Sequence, residues 1–494
     1  MKKLILFLVT FFAFSNFLMA QYELSSFCNT GHGGATTYAT DYQATGINPA
    51  NLGWDYRYAK KKFTMGYAEL TSSIYSEALS KSDLRQLVKD MMDGGAQDFT
   101  IDQKRNAAKE FTKSGFSVNA NLGSFGAAFI TKHIGGFGFR INDSYQAYCK
   151  LGNQAADLIF LGKTSSIFDS LSYLVNSTTG ATVTIPNNPN MSPDSVKLVV
   201  NGYSSAPKEI SKILNGTEMT YTWTREYNFS YGRRIFGDSV FALFGGIGVK
   251  YLQGLALVNI KSENDKLTGY SSLSPAFNID YGNAINQANQ IKQSGTLPKP
   301  VGSGFGFDFG VNVIIKNRLK LGAAFINAGS IKWDGNLYSV KDTILFTTTS
   351  TGLQNYNVFG QFKDIFGAKG LLKMEGKKEL VVKLPGLVRF GGSLMLGRFA
   401  ELGFDCIFSA TDVPGKYNKP LIGFGGDFYP VKWLKLQAGY IVGGNYDYSV
   451  PLGIIFIGKN GTYEAGIASR DAVTFFTQDG PTLSLSTGFL RFRF

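Results

Sequence analysis

Long stretches of the chain alternate bulky apolar residues with small or polar ones, the period-2 pattern of a β-strand with two different faces. Residues 219–231 place Met219, Tyr221, Trp223, Tyr227, Phe229 and Tyr231 on one face, and Thr220, Thr222, Thr224, Glu226, Asn228 and Ser230 on the other. Only Arg225 breaks the apolar side. Residues 304–315 set Phe305, Phe307, Phe309, Val311, Val313 and Ile315 against Gly304, Gly306, Asp308, Gly310 and Asn312. In 400–409, Leu402, Phe404, Cys406 and Phe408 oppose Glu401, Gly403, Asp405 and Ser409, and in 433–440 Leu434, Leu436, Ala438 and Tyr440 oppose Lys435, Gln437 and Gly439. Weaker strands of the same kind begin at Phe63, Phe116, Phe241, Leu319, Val388 and Ile422.

The composition of the two faces discriminates between folds. A soluble sandwich presents many Lys, Glu and Thr outward. Here the non-apolar face is mostly Gly, Ser, Asn and isolated charges, which suits a wet or filled interior, and the apolar face is strongly aromatic. Segments of about ten alternating residues are the length of a strand tilted across a bilayer. The pattern therefore predicts an all-β fold: a transmembrane antiparallel β-barrel of 12 to 16 strands, with 14 the central value. The inward face then carries Glu226, Asp308, Arg389, Glu401, Asp405, Asp427, Lys435, Arg491 and Arg493. Their signs are mixed, and buried charges must be paired, so we expect ion pairs that stitch the interior together rather than a substrate filter. The last strand, 483–494, points Leu490, Phe492 and Phe494 one way and Arg491 and Arg493 the other. An amphipathic last strand ending in Phe resembles the signal by which the barrel-assembly machinery recognises bacterial outer-membrane barrels.

Other segments depart from the alternation. Residues 1–20 combine Lys2 and Lys3, an apolar run from Leu4 to Phe14 and a small-residue site before Gln21, which reads as a secretory leader. Removing it leaves a net charge of +11 from the +13 of the whole chain. No apolar run of 18 residues follows, and an exported chain held in a membrane without a helical span must cross it as a closed barrel. Residues 21–60 are irregular and rich in Gly, Thr, Asn and Tyr. The barrel is expected over 61–494, with long insertions at 77–113 and 153–218. The first has helical periodicity (Leu79, Leu84, Leu87, Val88, Met91, Met92), and short helices are also expected near Ala155–Leu161 and Val358–Phe366.

Candidate chemistry is sparse. The 494 residues include 2 His, His32 and His133, neither with a spaced carboxylate partner, so no catalytic set, metal site or cofactor is expected. Gly302-Ser303-Gly304-Phe305-Gly306 has no helix after it to present to a phosphate. Cys28 and Cys149 are a candidate disulfide in an oxidising envelope, whereas Cys406 alternates with outward residues and should be free. The positive charge lacks a long basic run, so nucleic acid is not an expected partner.

The segment Ala44-Thr45-Gly46-Ile47-Asn48-Pro49-Ala50-Asn51-Leu52-Gly53 is similar to the "NPA" segment early in the FadL family of outer-membrane transporters of hydrophobic compounds. The resemblance implies a 14-stranded barrel closed by an N-terminal hatch over residues 21–60, with Asn48, Pro49 and Ala50 as hatch residues. It also implies a location in the outer membrane, among its lipid and lipopolysaccharide, and an apolar ligand held between hatch and wall by inward residues such as Phe244. The composition looks like that of Bacteroidota proteins of this wider group, some of which are subunits of secretion machinery. Two functions follow: passive transport of a hydrophobic small molecule, or a non-transporting scaffold that docks envelope proteins.

Overall fold

A computed structural model describes residues 26–54, 61–76, 99–113, 115–131, 133–238, 240–282, 284–353, 372–413, 419–444, 446–473 and 482–494. The leader, the helical run of 77–98 and the helix expected near Val358–Phe366 lie outside these residues.

Fourteen strands form the wall. We number them β1 (Phe63–Ser76), β2 (Phe116–Thr131), β3 (Gly135–Lys150), β4 (Thr217–Gly237), β5 (Phe241–Glu263), β6 (Gly302–Ile315), β7 (Leu319–Trp333), β8 (Leu387–Leu396), β9 (Ala400–Ser409), β10 (Leu421–Val431), β11 (Leu434–Gly443), β12 (Leu452–Ile457), β13 (Tyr463–Ser469) and β14 (Thr482–Arg493). Each pairs antiparallel with the next. β14 then pairs with β1, Phe492 opposite Met65 and Leu483 opposite Ile74, which closes the ring and leaves no edge.

The pleat sends the two predicted faces to opposite sides of the wall. On the outside, Phe305, Phe307, Phe309 and Val311 are between 45% and 58% exposed, an apolar belt that water would not tolerate and hydrocarbon would. Phe229, Ile247, Phe390, Phe404, Phe424, Tyr440, Ile454 and Leu485 continue it around the cylinder. The alternating partners (Asp308, Asn312, Asp405 and their equivalents) are buried within.

The two ends differ. At one, turns such as 316–318, 397–399 and 432–433 join the strands tightly, with Lys316 and Asn317 in the left-handed region. At the other, long loops fold into a cap. Helices α1 (Ile101–Lys113) and α2 (Asn153–Leu161) bury Ala107, Phe111, Ala155 and Phe160 against Met219, Val258 and Tyr338 near the strand ends. A separate four-stranded sheet in the cap joins 170–176, 181–186 and 199–209 to 344–348. That last pairing crosses more than a hundred residues of chain, and no local pattern announces it.

Candidate functional site: the filled lumen and an apolar cavity

From Ser26 to Trp54 no residue is exposed. This segment meets inward side chains from all round the ring. Asp41 lies 2.6 Å from Arg491 and 3.6 Å from Arg493, and Glu464 on β13 lies 2.6 and 2.9 Å from the same two guanidiniums. Tyr42 and Gln43 donate to Glu69 on β1 at 2.5 and 2.8 Å. Across the lumen, Asp405 accepts from the backbone N–H of Ala35 and Thr36 at 2.8 and 3.1 Å and from Arg389 at 3.2 Å. Gln437 donates to the Cys28 carbonyl at 2.6 Å, and Asn312 donates to Asn51.

Small residues on the wall let the segment approach. A methyl group added to Gly246 or Gly310 would overlap Pro49 or Asn48, and one at Gly423 would overlap the Gly33 carbonyl. The glycines of the inward face thus mark where chain packs on chain. Asn48 is extended (φ −154°, ψ 100°), and its side chain caps the short helix Pro49–Gly53 by accepting from Ala50 N–H at 3.1 Å.

Each of the nine charged residues expected inside is buried, in separate groups. Arg491 and Arg493 share Asp41 and Glu464, while Arg389 pairs with Asp405. Lys435 pairs with Asp427 at 3.3 Å, and Glu401 accepts from Lys320 at 2.9 Å. Glu226 and Asp308 face the fully buried Lys250, at 4.0 and 3.1 Å. Glu69, Arg140, Lys250, Lys320 and Glu464 were not singled out from the sequence, although Lys250 and Glu464 alternate with outward residues and so carried the same signal.

His32 lies in the N-terminal segment beside Asp427, with Nε2 3.6 Å from the carboxylate. Its Nδ1 accepts from Gly34 N–H, so the neutral ring carries its proton on Nε2, facing Asp427. Burial lowers the His32 pKa, and it outweighs the opposing pull of Asp427. We therefore read the 3.6 Å contact as a dipole beside a charge rather than an ion pair. His133 is exposed in a turn.

The expected Cys28–Cys149 disulfide is absent, and all three cysteines are free. Cys28 lies inside the lumen, its thiol held between Arg491 and Glu464, and burial pushes it up to about 12. Cys149 belongs to the cap end of β3, where Phe116 is its partner across the strands.

Two spaces open within the barrel, one of them against the segment. Towards the short turns, a polar space of about 280 Å³ is lined by Tyr38, Trp54, Lys320, Glu401, Arg491 and Arg493. Further towards the cap end of the wall, a mainly apolar one of about 150 Å³ is lined by Thr222, Leu257, Ile331, Trp333, Val382 and Leu384, with no residue of 26–54 in its lining. Phe244, expected to line a ligand cavity, instead packs on Ala50 and Trp54. It lies near the short-turn end of β5, too far down the lumen to reach the apolar space.

Beside that apolar cavity the wall is interrupted over a short stretch, Asn327–Ala328 opposite Pro385–Gly386, with Leu384 N–H still donating to the Gly329 carbonyl at 3.0 Å. β7 pairs with Leu380–Lys383 through Ser330–Trp333 and with β8 through Leu319–Ile326. Between them Pro385 has no N–H to donate, and Asn327 is left-handed (φ 64°). The Asn327 side chain bridges the break, donating to the Pro385 carbonyl at 3.1 Å and accepting from Lys250. Asn327, Leu384 and Pro385 all line the cavity.

Residues 187–456, more than half of the chain, match the model of a family of unknown function, DUF5723. The chain belongs to this family. The matched span of this DUF5723 chain holds the apolar cavity's Thr222-to-Leu384 lining, but not the N-terminal segment or Arg491 and Arg493. No curated protein matches the sequence. Among solved structures, the Pseudomonas putida toluene transporter TodX is similar at 10% identity over 97% of this chain and 99% of that one, with a TM-score of 0.42. A Pseudomonas aeruginosa FadL homologue is similar at 11% identity over 96% and 97%, with a TM-score of 0.37. A Rhodopseudomonas blastica porin triple mutant covers 56% of this chain and 92% of its own, at 9% identity and a TM-score of 0.20.

Proposed function

We propose that the protein is an outer-membrane barrel that admits one small apolar molecule at a time. In this reading residues 1–20 direct export, residues 26–54 stopper the lumen, and the ligand dwells in the 150 Å³ cavity towards the cap end of the wall. The carrying observation is that cavity. A void of about this volume lined by apolar groups stays dry and accepts a single benzene-sized ring. Thr222, Gln146, Asn259, Asn327 and Glu226 add polar groups to its lining, while the apolar part (Leu257, Ile331, Trp333, Val382 and Leu384) rewards ligand burial by about 25 cal/mol per Å². Ion pairs close the way past residues 26–54, so exit is through the interrupted wall at Asn327 and Pro385, into the hydrocarbon.

The test is uptake of a labelled monocyclic hydrocarbon by cells with an intact outer membrane, whose lipopolysaccharide leaflet slows such molecules. Thr222→Trp, which fills the cavity without touching the stopper, should reduce uptake to the level of a deletion strain. Undiminished uptake by this variant would contradict the proposal.

One observation favours a second reading, a non-transporting scaffold for other envelope proteins. The stopper is anchored by charge pairs on opposite walls, Arg491 on one and Asp405 on the other, as a permanent core would be. Under that reading the deletion strain takes up hydrocarbons normally but loses a stoichiometric protein partner.

A further inference from the structure

The rim formed by the short turns is basic almost throughout. Lys62, Arg233, Arg234, Lys316, Arg318, Arg398 and Lys432 are all exposed there. Among the described residues the one exposed acid on this rim is Asp238, and its carboxylate is occupied by its own turn, accepting from Val240 and Phe241 N–H at 2.7 and 2.8 Å. Among the described residues none of the seven bases forms an ion pair. The cap end differs in carrying many exposed acids (Asp102, Asp194, Glu209, Glu263, Asp334, Asp342 and Glu379 among them), and some of its lysines pair with them, Lys197 with Asp194 and Lys332 with Glu379.

The bases do not form one patch. They follow the circumference, from the start of β1 through the turns after β4, β6, β8 and β10. Exposed apolar residues stand among them (Phe63, Ile235, Phe236, Phe399 and Trp433), so the ring borders the lower margin of the apolar belt. Long basic side chains at such a margin lay their methylenes on the belt and their charge at headgroup depth. A docked acidic protein would meet one sector of this ring, whereas an annulus of lipid meets all of it.

We propose that the short-turn rim binds the headgroups of anionic glycerophospholipids in the leaflet on that side. The inference rests on the membrane-barrel reading above and extends it to a lipid preference. Each base near an anionic surface multiplies affinity roughly five-fold, an effect that salt screens.

The molecule carries its own reporter. Of its 4 Trp, Trp54 and Trp333 are buried, Trp223 is half-buried, and Trp433 stands exposed within the ring. The full mature chain is reconstituted in phosphatidylcholine vesicles doped with phosphatidylglycerol or phosphatidylcholine brominated high on the acyl chain. Quenching of Trp433 is taken as the difference between the wild type and Trp433→Phe. At low salt, brominated phosphatidylglycerol should reach half-quenching at about a five-fold lower mole fraction than brominated phosphatidylcholine. The preference should vanish at high salt and in a variant combining R233Q, R234Q, K316Q, R318Q, R398Q and K432Q. Equal potency of the two lipids on the wild type would overturn the proposal and leave the ring to an acidic protein partner. A preference undiminished in the sextuple variant would overturn it too. Absence of quenching by either lipid would instead strike the membrane-barrel reading itself.

Discussion

Arg491 shows most directly how single residues hold the lumen together. It is 2% exposed, lies 2.6 Å from both Asp41 and Glu464, and donates to the Cys28 thiol at 2.8 Å. Removing one partner of a buried ionic group leaves the others uncompensated, which costs about 3–5 kcal/mol. Arg491→Met should therefore lower the thermal unfolding midpoint in detergent well beyond the scatter between surface variants. Lys332→Gln, which breaks an exposed pair with Glu379, should leave it unchanged. Circular dichroism melts of both variants test this. His32 adds a pH dependence. Its folded pKa lies below the unfolded value, so below about pH 6.5 the unfolded chain binds a proton that the folded one refuses. Stability should fall as the pH drops through 6.5, and His32→Gln should fall less in the same melts.

At the scale of elements, the wall was legible and the lumen only partly so. β4, β6, β9 and β11 announce themselves because one face is aromatic and the other is not. β3 and β13 carry the same alternation with Gly and Ala at several positions, too faintly to be singled out. The charged inward positions could be read because a charge on a lipid-side pleat is intolerable, but not which charge meets which, since partners such as Asp41 and Arg491 lie far apart in sequence. The break at Asn327 and Pro385 was equally hidden, because a proline at a loop boundary reads as a turn until the pairing on both sides of it is known. Close contact between stopper and wall gives a prediction at this scale. Gly246→Leu points a side chain into Pro49 without adding any contact to the lipid face. It should unseat the Pro49–Gly53 turn, make residues 26–54 sensitive to protease from the short-turn side, and raise ion conductance in planar bilayers. Unchanged conductance and protease resistance would mean that the segment does not stopper the lumen.

For the whole molecule, closure and sidedness are the claims that matter. The ring closes through β1 and β14, the belt faces outward, and the interior is filled from the short-turn end and capped from the other. In the proposed function the apolar cavity holds a ligand and the interrupted wall releases it, and in the proposed lipid binding the basic rim seats the barrel. The most direct test scans β9 with single spin labels from 402 to 408, in chains whose native cysteines are otherwise replaced, reconstituted in lipid vesicles. Labels at 402, 404, 406 and 408 should collide with lipid-dissolved oxygen. Those at 403, 405 and 407 should be shielded from oxygen and from a water-soluble nickel relaxant alike. Uniform access of the nickel relaxant along the strand, or loss of the two-residue rhythm, would contradict a closed barrel in a bilayer.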